Sequence, residues 1–316
     1  MAARAGVVTV RFLDETTTAA LITEEMAYSA ARAALVAATS GTSFPSVHGH
    51  GSDPANRFTV KSGASAELAG VKVGSFWPGN DALGLARHSS TILLFDQSVG
   101  RIEAVVEAAR VNALRTAAAD AVAADALARP DATTLGVFGT GNQALHECLA
   151  LARIRPLSTV RVVGRSAERT EVFVDRLAAH GIDAEPASAQ QACGSDIVVT
   201  ATTAREPLFD ADWVRPGTHL ASMGSDSPGK QEMPVEIAHR ARLFCDLPAQ
   251  SRAIGEFQHV SGDIEAGRLT LTAIGDVLTG QASGRRSEDD ITVFDSSGIA
   301  LQDLYIAAAL LAAHGS

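Results

Sequence analysis

The sequence lacks any block of basic residues, and its 36 acidic residues outnumber its 26 lysines and arginines. The resulting net charge of −10 argues against a nucleic-acid-binding protein, because binding to phosphate backbones requires clustered lysine and arginine. No apolar run reaches the ~20 residues that a membrane-spanning helix needs. We therefore predict no nucleic-acid partner and no membrane span.

Cysteine is also scarce, with only Cys148, Cys193 and Cys245 in 316 residues. These cysteines lie far apart and fit none of the short spacings of a metal site, so we predict no bound metal. An odd number of separated cysteines suits a reducing compartment. The first residues show a short apolar run followed by charge, which predicts a strand at 7–13 rather than a signal peptide. We therefore expect a cytoplasmic protein.

The sequence does contain a glycine-rich turn, which follows a predicted strand and opens a predicted helix. It reads Gly139-Thr140-Gly141-Asn142-Gln143-Ala144, the G-x-G-x-x-A pattern of dinucleotide-binding units. The first glycine allows the tight turn, the second lets a pyrophosphate approach the backbone, and the small third residue lets the helix pack on its strand. The helix then directs its free N–H groups and its positive dipole end at the phosphates. We predict that these residues contact a dinucleotide cofactor.

The end of the next predicted strand bears on the choice between NAD and NADP. NAD-selective proteins place a carboxylate there for the ribose 2′-hydroxyl. Here the segment reads Gly164-Arg165-Ser166, Arg169 follows, and the first carboxylate is Glu168. A guanidinium and a hydroxyl at a helix start suit a 2′-phosphate, although a solvated loop arginine would give the same pattern. We predict that Gly164, Arg165, Ser166 and Arg169 bind the cofactor and that NADP is preferred, with NAD as the alternative.

The residues before the glycine-rich turn predict a mixed α/β unit with a core made mostly of strands. A helix is predicted from the cap Thr23 to about residue 38, because two glutamates and an amphipathic alanine-rich stretch follow the cap. The stretch 41–56, rich in Gly, Ser, His and Pro, predicts an irregular loop. Apolar segments separated by turn signals predict strands at 57–62, 70–76, 90–96 and 102–107, and a helix is predicted at 113–128.

From residue 134 the pattern changes to alternating strands and helices, which favours a parallel sheet covered on both faces. Strands are predicted at 135–138, 160–163, 184–186, 197–200, 219–222 and 243–245. Helices are predicted at 142–152, 167–180, 188–192 and 234–240, with a last apolar helix at 301–313. The predicted fold class is therefore α/β, with a Rossmann doubly wound parallel sheet and a further α+β part.

Several separate motifs resemble, in the same order, those of the ornithine cyclodeaminase/mu-crystallin family. They are Gly70-Val71-Lys72, Trp77-Pro78-Gly79-Asn80, Leu114-Arg115-Thr116-Ala117-Ala118, the glycine-rich turn, GSDSPGKQE at 224–232 and VFDSSGIALQDL at 293–304. The resemblance covers about 20–312 and implies a Rossmann NAD(P)-binding domain at 116–298. It implies a discontinuous domain, 1–115 with 299–316, that binds substrate and forms a homodimer. The active site is expected in the cleft between the two domains.

Three residues in these motifs have side chains that suit chemistry at a carbon–nitrogen bond. Arg115 offers a bidentate fork for an α-carboxylate, Lys72 offers a second cation or a proton, and Asp226 follows a predicted strand end where open α/β sheets bind ligands. Taken singly, each has a structural alternative as a helix-surface arginine, a strand lysine or a turn-forming aspartate. The resemblance implies that Arg115 and Lys72 bind the substrate carboxylate and that Asp226 handles a proton or the substrate nitrogen. Lys72 and Asp226 are our predicted catalytic residues.

Further residues complete the predicted cofactor and substrate sites. The resemblance implies that Ser297 and Gly298 lie near the nicotinamide, with Gly298 also at the substrate. Thr116 could reach the cofactor or cap its helix. The remaining predicted cofactor residues are Thr200, Ala201, Thr202 and Met223.

The sequence departs from the cyclodeaminase pattern in two places. No arginine occupies 44–48, where many members have one on the substrate carboxylate, and Lys61 stands where many have a Met-Pro pair. Together with His88 and IGEFQH at 254–259, these features resemble the iminosuccinate reductases of the family, which reduce the imine of oxaloacetate to aspartate. A dicarboxylate needs more positive charge than a monocarboxylate, because two buried anions must be paired. Lys61 is predicted to bind the distal carboxylate, with His48 as a further candidate, and His88 is predicted to bind substrate or to have a structural role.

The resemblance therefore implies an NAD(P)H-dependent imino acid reductase with iminosuccinate as the favoured substrate. The enzyme alternatives are an ornithine cyclodeaminase-type lyase, a cyclic ketimine reductase acting on pyrroline-2-carboxylate, and another amino acid dehydrogenase of the family. The missing arginine near residue 46 counts against the lyase. The non-enzyme alternative is an NADP-binding protein like mu-crystallin. Retention of Lys72, Arg115 and Asp226 counts against it, because binding alone does not need them together.

Overall fold

The computed structural model describes residues 10–315, which are built around two β-sheets. The strands of the first sheet are β1 (Arg11–Leu13), β2 (Thr42–His50), β3 (Arg57–Ala64), β4 (Ala69–Phe76), β5 (His88–Asp96) and β6 (Arg101–Glu107). They lie in the order β1-β6-β5-β4-β3-β2, and all neighbours are antiparallel except β1 and β6, which are parallel. Of the strand predicted at 7–13, residues 7–9 fall outside the described residues.

The prediction of an irregular loop at 41–56 was wrong, because most of this stretch forms the edge strand β2. Its backbone pairs with β3 from Thr42 to His50, a partner that local composition does not reveal. Pro45 lies at a register shift between Phe44 and Val47. A bulge on an edge strand is where a proline without an N–H group is tolerated.

The second sheet is entirely parallel. Its strands are β7 (Thr134–Phe138), β8 (Thr159–Val163), β9 (Ala184–Pro186), β10 (Ile197–Thr200), β11 (His219–Ser222), β12 (Ala241–Cys245), β13 (Leu271–Ala273) and β14 (Ile291–Asp295). Their order is β13-β12-β14-β11-β10-β7-β8-β9, so the direction of strand addition reverses between β7 and β10. The carboxyl ends of the strands at such a switch point are where open α/β sheets bind ligands. The predicted Rossmann doubly wound fold is confirmed.

Helices cover both sheets. They are α1 (Glu15–Leu21), α2 (Glu24–Ala37), α3 (Ala109–Leu127), α4 (Asn142–Ile154), α5 (Ala167–Ala178), α6 (Ala189–Cys193), α7 (Pro248–Ile254), α8 (Ser261–Glu265), α9 (Ile274–Leu278) and α10 (Ala300–His314). Single 3₁₀ segments lie at Pro78–Leu83, Ala211–Trp213, Val235–Ile237 and Glu256–Val260. Among the described residues, no helix combines the length and apolar character needed to cross a membrane.

Most predicted helices are present with small differences at their ends. Thr23 caps α2 as predicted, accepting a hydrogen bond from the Met26 N–H at 3.1 Å. The helix predicted at 234–240 is wrong, because only the turn Val235–Ile237 fits before β12 begins at Ala241. The sequence interpretation also missed α1, α7, α8 and α9 and the strands β13 and β14.

Two helices connect the sheets. Helix α3 packs against α2 and β5 of the first part and against α4, β11 and β14 of the second. Helix α10 follows the last strand of the second sheet but packs on β3, β4 and β5 of the first. Gly70 permits this approach, since a Cβ atom there would lie 2.7 Å from the Leu304 side chain. One cluster of buried apolar side chains runs from Ile92 through Val122 to Leu135, so the two sheets share a core.

The predicted division into 1–115 with 299–316 and 116–298 remains a prediction. The last helix does return to the first sheet. The boundary between residues 115 and 116, however, falls inside the continuous helix α3. Helix α3 therefore contacts both sheets.

Candidate active site

Three cationic side chains converge beside the last helix: Lys61 of β3, Lys72 of β4 and Arg115 of α3. Lys61 and Lys72 are directly paired across their antiparallel strands, so both side chains project from the face of the sheet that α10 covers. The side chains of Lys72 and Arg115 are only 10% and 8% exposed. The structure thus brings together the three cations that the sequence predicted for substrate carboxylates.

Asp303 of α10 is the counter-ion of this cluster, and its side chain is 2% exposed. Its Oδ1 lies 2.7 Å from Lys72 Nζ, a hydrogen bond, and 3.0 Å from Arg115 Nε, an ion pair in which the Nε–H is not aimed at the oxygen. Among residues 10–315, no other carboxylate forms an ion pair with Lys61, Lys72 or Arg115. The second carboxylate oxygen of Asp303, Oδ2, is buried without a hydrogen-bond partner.

Two amides complete the support of Lys72 and Arg115. The side-chain carbonyl of Asn112 accepts hydrogen bonds from Lys72 Nζ at 2.5 Å and from Arg115 Nη2 at 2.7 Å. The side-chain carbonyl of Gln302 accepts one from Arg115 Nη1 at 2.8 Å. Arg115 is therefore fixed from its own helix on one side and from α10 on the other.

Lys61 is fixed by the segment that joins β14 to α10. Its Nζ donates to the carbonyl oxygens of Ser297 at 3.2 Å and Gly298 at 2.7 Å. Gly298 has a φ of 75°, which favours glycine, and a Cβ atom there would lie 3.4 Å from Lys61 Nζ and from Arg115 Nη1. Asp246 holds the turn by accepting a hydrogen bond from the Gly298 N–H at 2.9 Å. Ser297 and Gly298 thus lie beside Lys61, and their predicted place near the nicotinamide remains a prediction.

The electrostatics of the cluster favour an anion. Burial lowers the pKa of Lys72 to about 7, with Asp303 opposing and Arg115 adding to the shift. Burial and Arg115 also lower the pKa of Lys61. Burial alone would raise the pKa of Asp303, but Arg115 and Lys72 outweigh it, and the pKa of this carboxyl lies below its ordinary value. The cluster therefore contains a stable carboxylate and a lysine poised to titrate near neutral pH.

Asp226 is not in contact with this cluster. Its side chain is 56% exposed and accepts a hydrogen bond from Lys230 Nζ at 2.6 Å. Lys230 also donates to the Gly224 carbonyl at 2.9 Å, which ties the loop after β11 to itself. The charge of Asp226 nevertheless partly opposes the lowering of the Lys61 pKa that burial and Arg115 cause. Its predicted role in proton handling remains a prediction.

His88 is also outside the cluster. It is exposed at the start of β5, pairs with Phe76 of β4 and has its ring 4.7 Å from the Phe76 ring. It shares a sheet face with Lys72 but lies four residues farther along, a strand distance of about 13 Å. His48 pairs with Thr59, so it too is on the Lys61 face, at the edge of the sheet.

The glycine-rich turn has the geometry of a phosphate cradle. Gly139 has a φ of 121°, and a Cβ atom there would lie 2.6 Å from the Ala201 carbonyl oxygen. A Cβ atom on Gly141 would meet only open space, and no side chain caps the first turn of α4. Ala144 is fully buried against the sheet. The free N–H groups of α4 and the space before them fit a pyrophosphate.

The side chain of Gln143 is occupied by contacts within the protein. Its side-chain amide donates to the Ala113 carbonyl at 3.3 Å and to Glu147 at 2.6 Å. The amide therefore joins α4 to α3. Any contact of Gln143 with a cofactor is left to its backbone.

The residues after β8 leave two guanidinium groups in solvent. Ser166 caps α5 and accepts a hydrogen bond from the Arg169 N–H at 3.4 Å. Arg165 and Arg169 are exposed, and in the described part of the chain neither forms an ion pair. A side chain on Gly164 would collide with Thr170 and Thr140. This surface is open to a ribose carrying a phosphate.

Other predicted cofactor residues have side chains committed elsewhere. Thr200 is fully buried, and its hydroxyl and that of Thr202 donate to Glu232 at 2.9 and 2.7 Å. Met223 is 7% exposed and belongs to the core. The Thr116 hydroxyl donates to the backbone carbonyl of Asn112, in the same helix, at 2.8 Å. For Thr200 and Met223 the structure argues against direct side-chain contact with a ligand.

The architecture and this set of residues match a known family. The model of the ornithine cyclodeaminase/mu-crystallin family matches residues 9–312. The chain belongs to this family. The predicted family is therefore confirmed.

Relatives in the ornithine cyclodeaminase/mu-crystallin family include oxidoreductases. The chain is similar to the iminosuccinate reductase of Paracoccus denitrificans, with 36% identity over 302 residues covering 93% of each chain. A solved structure of the Paracoccus denitrificans iminosuccinate reductase in complex with NAD+ has a TM-score of 0.90, 33% identity, and coverage of 97% of this chain and 96% of that one. An archaeal alanine dehydrogenase dimer with bound NAD has a TM-score of 0.87, 30% identity, and coverage of 96% and 95%. The predicted class of enzyme, an oxidoreductase using NAD(P), is confirmed at the level of the family.

Sequence reasoning missed four residues of the site: Asn112, Lys230, Gln302 and Asp303. A compositional signal was available, because only three of the 26 basic residues are lysines. Two of them, Lys61 and Lys72, belong to the cation cluster, and the third, Lys230, binds Asp226. Arginine does not deprotonate in proteins, whereas lysine can. In a chain whose other basic residues are all arginines, each lysine therefore indicates a position where a compact, titratable cation is required. For Gln302 and Asp303 the signal was two polar residues within an otherwise apolar helix.

Proposed function

We propose that the protein is an NAD(P)H-dependent imino acid reductase and that its favoured substrate is iminosuccinate, the imine of oxaloacetate. The observation that carries the proposal is the buried group of Lys61, Lys72 and Arg115 with the single counter-ion Asp303. This group has an excess of two positive charges when both lysines are protonated. A dicarboxylate supplies two negative charges, whereas a monocarboxylate would leave one buried cation uncompensated.

The hydrogen-bond donors support the same substrate class. An ammonium has three donors, and Lys61 and Lys72 each use two of them on protein oxygens. Each terminal nitrogen of Arg115 has two donors and uses one. One donor on each lysine and one on each terminal nitrogen of the arginine remain. Arg115 and Lys72 would bind the α-carboxylate, and Lys61 the distal carboxylate.

The reduction needs a hydride for the imine carbon and a proton for the nitrogen. The nicotinamide, when bound at the switch point, supplies the hydride. Lys72, whose pKa burial lowers to about 7, can hold a proton at neutral pH and release it to the nitrogen. Asp226, held by Lys230, would orient the developing ammonium at the exposed side of the cleft.

The residues that would bind the cofactor are those of the cradle and of the β8 end. The backbone of 139–144 would bind the pyrophosphate, and Ala201 and Thr202 would border it. Arg165 and Arg169 favour NADP, because no carboxylate stands between β8 and Arg165 to receive a ribose hydroxyl. NAD is the alternative, because two relatives have been solved with NAD or NAD+ bound.

A single assay tests the proposal. Oxaloacetate, ammonia, NADPH and the protein should together consume NADPH and form aspartate in equal amounts. Omission of ammonia should stop both. The same assay with pyruvate, with glyoxylate plus amines and with cyclic imines compares the other reductase substrates, and ornithine with NAD+ tests the lyase. The absence of NADPH or NADH oxidation across the whole panel would overturn the reductase proposal.

A homodimer is part of the proposal. The face of the first sheet opposite α10 carries exposed apolar side chains, at Phe12 (60%), Phe44 (51%), Val47 (60%), Val73 (39%) and Ile102 (38%). Strand pairing places these residues on one face, away from Lys61 and Lys72. An apolar sheet face of this kind marks a protein–protein contact. We assign it to a second copy of the chain, supported by the dimeric alanine dehydrogenase relative.

A further inference from the structure

Asp303 belongs to a helix that follows the second sheet in sequence but lies on the first sheet. The chain completes the last strand of the second sheet at Asp295, turns through Gly298 and then lays α10 across the first sheet. Apolar neighbours on the helix, Leu301, Leu304 and Ile306, are fully buried. The backbone of Asp303 is therefore positioned by the packing of α10, and its carboxylate is enclosed beside Lys72.

The two contacts of Asp303 both use Oδ1, and both are with the groups expected to bind substrate. Lys72 Nζ lies 2.7 Å and Arg115 Nε 3.0 Å from this oxygen. The charged or titratable groups that face Lys72 are Asp303 from α10, Arg115 from α3 and Lys61 from β3. Two of these three are positive. Of these three charged groups, only Asp303 favours the ammonium form of Lys72.

Without this carboxylate, a buried ammonium would have a directly opposed lysine and a guanidinium as its nearest charges. A like-charged neighbour and burial each favour the neutral amine. Lys72 would then lose its proton before any anionic substrate arrived. A neutral amine at this position could neither pair with a carboxylate nor supply a proton to nitrogen.

We propose that Asp303 is a positioning residue that maintains Lys72 as an ammonium and fixes it beside Arg115, so that the C-terminal helix is a functional part of the substrate site. Asp303 does not touch the substrate in this scheme. It acts through Lys72. The inference rests on the proposed function only for the identity of the ligand, because the proton on Lys72 can be measured without one.

The lysine content of the chain makes the measurement direct. Protein labelled with ¹³C at the lysine ε-carbon should give one signal for each of its three lysines, assigned by Lys61→Arg, Lys72→Arg and Lys230→Arg. The Lys72 signal is followed against pH. In Asp303→Asn its midpoint should fall by about one pH unit or more, because an adjacent opposite charge is lost. Asp303→Glu, which keeps the charge, should retain more of the original midpoint. The matched control Asp175→Asn, on the exposed face of α5, should leave it unchanged.

A second variant changes Arg115, the other cation that contacts Asp303 Oδ1. In Arg115→Gln, Asp303 no longer shares its oxygen with a guanidinium, so the Lys72 midpoint should rise. This variant also keeps the test decisive if Asp303→Asn does not fold. An unchanged Lys72 midpoint in a folded Asp303→Asn, or the absence of a rise in Arg115→Gln, would overturn the inference.

Ligand binding separates this inference from the proposed function. Calorimetric titration with succinate, a saturated four-carbon dicarboxylate, in the presence of NAD+ should show affinity that falls as pH rises. In Asp303→Asn the fall should begin at a lower pH by the same interval as the Lys72 midpoint. A shifted midpoint in a protein that binds no succinate would retain the role of Asp303 and refute the dicarboxylate site. Succinate binding with an unshifted midpoint would do the reverse.

Discussion

Lys61 and Lys72 are directly opposed on adjacent antiparallel strands, with Arg115 beside them. Like charges at directly opposed positions destabilise a sheet. The arrangement is maintained because two backbone carbonyls accept from Lys61 and Asp303 with Asn112 accepts from Lys72. The first sheet therefore holds a concentration of positive charge that an incoming dianion would relieve.

Lys61→Met should separate dicarboxylate from monocarboxylate substrates. The variant keeps the length of the side chain and removes the charge proposed for the distal carboxylate. A hydrogen bond to a charged group contributes roughly 1.5–3 kcal/mol, so kcat/KM with oxaloacetate and ammonia should fall about 10- to 100-fold. With pyruvate and ammonia it should change little. Equal losses with the two substrates would contradict a distal-carboxylate role.

Alanine substitutions at the two glycines of the turn should have different effects. Gly139→Ala should lower the melting temperature, because its φ of 121° and the nearby Ala201 carbonyl leave no room for Cβ. Gly141→Ala should leave the melting temperature unchanged, since its Cβ would meet open space, but should weaken cofactor binding by filling that space. Thermal unfolding and fluorescence titration with NADPH and NADH measure the two effects. Normal cofactor affinity in Gly141→Ala would exclude the turn as the pyrophosphate site.

Replacing Arg165 and Arg169 together by glutamine should change the choice of cofactor. The Kd for NADPH should rise by about 10-fold or more, equivalent to ~1.4 kcal/mol, while that for NADH changes little. Arg176→Gln, in the last turn of α5, is the matched control. A parent protein that binds NADH more tightly than NADPH would refute the predicted preference at once.

The buried carboxyl pair between α3 and α4 should make stability depend on pH. Asp120 and Glu147 are both fully buried and interact with each other; burial raises the pKa of Asp120 to about 7 and, with the Asp120 charge, raises that of Glu147. Because an unfolded aspartate releases its proton near pH 4, the folded protein loses stability as the pH rises from about 4 to 7.

Asp120→Asn removes that proton linkage. Relative to the parent protein, the variant should gain free energy of unfolding on the order of 4 kcal/mol between pH 4 and 8. Denaturant unfolding at several pH values measures this gain, and Asp175→Asn on the surface should show none. Parallel pH profiles for Asp120→Asn and the parent would mean that the pair does not titrate in this range.

Val73→Glu should prevent dimer formation. Val73 lies in the exposed apolar face of the first sheet and is 39% exposed in a single chain, so a second copy would bury an unpaired carboxylate there. Light scattering after size-exclusion chromatography should show half the parent mass. Val172→Glu on α5, 56% exposed, is the control. A Val73→Glu protein with the parent mass would place the dimer contact elsewhere.

The parts of the site that are local in sequence could be predicted. The turn at 139–144 follows from glycines whose spacing the backbone geometry requires, and Thr23 was found from its capping pattern. Lys72 and Arg115 were found because the motifs around them resemble the family's. In each case the neighbours along the chain contain the physical reason for the structure.

What depends on distant partners could not be predicted. Strand β2 forms only because β3 offers an edge, and its Gly, Ser and Pro content masked it. Asp303 comes within reach of Lys72, 231 residues earlier in the chain, because α10 crosses back over the first sheet. Conversely, Asp226 stands in the expected loop but binds Lys230 rather than the cation cluster. Its exposure could not be read from the motif.

The restriction of lysine to three positions near the cleft has a practical consequence for handling the protein. Amine-directed dyes, cross-linkers and coupling resins have few targets here, because Lys61 and Lys72 are enclosed by their hydrogen-bond partners and the Lys230 side chain is only 18% exposed. Conversely, replacing one remote surface arginine by lysine would introduce a single outlying attachment point. A reagent would then react mainly at that new lysine and at the terminal amine.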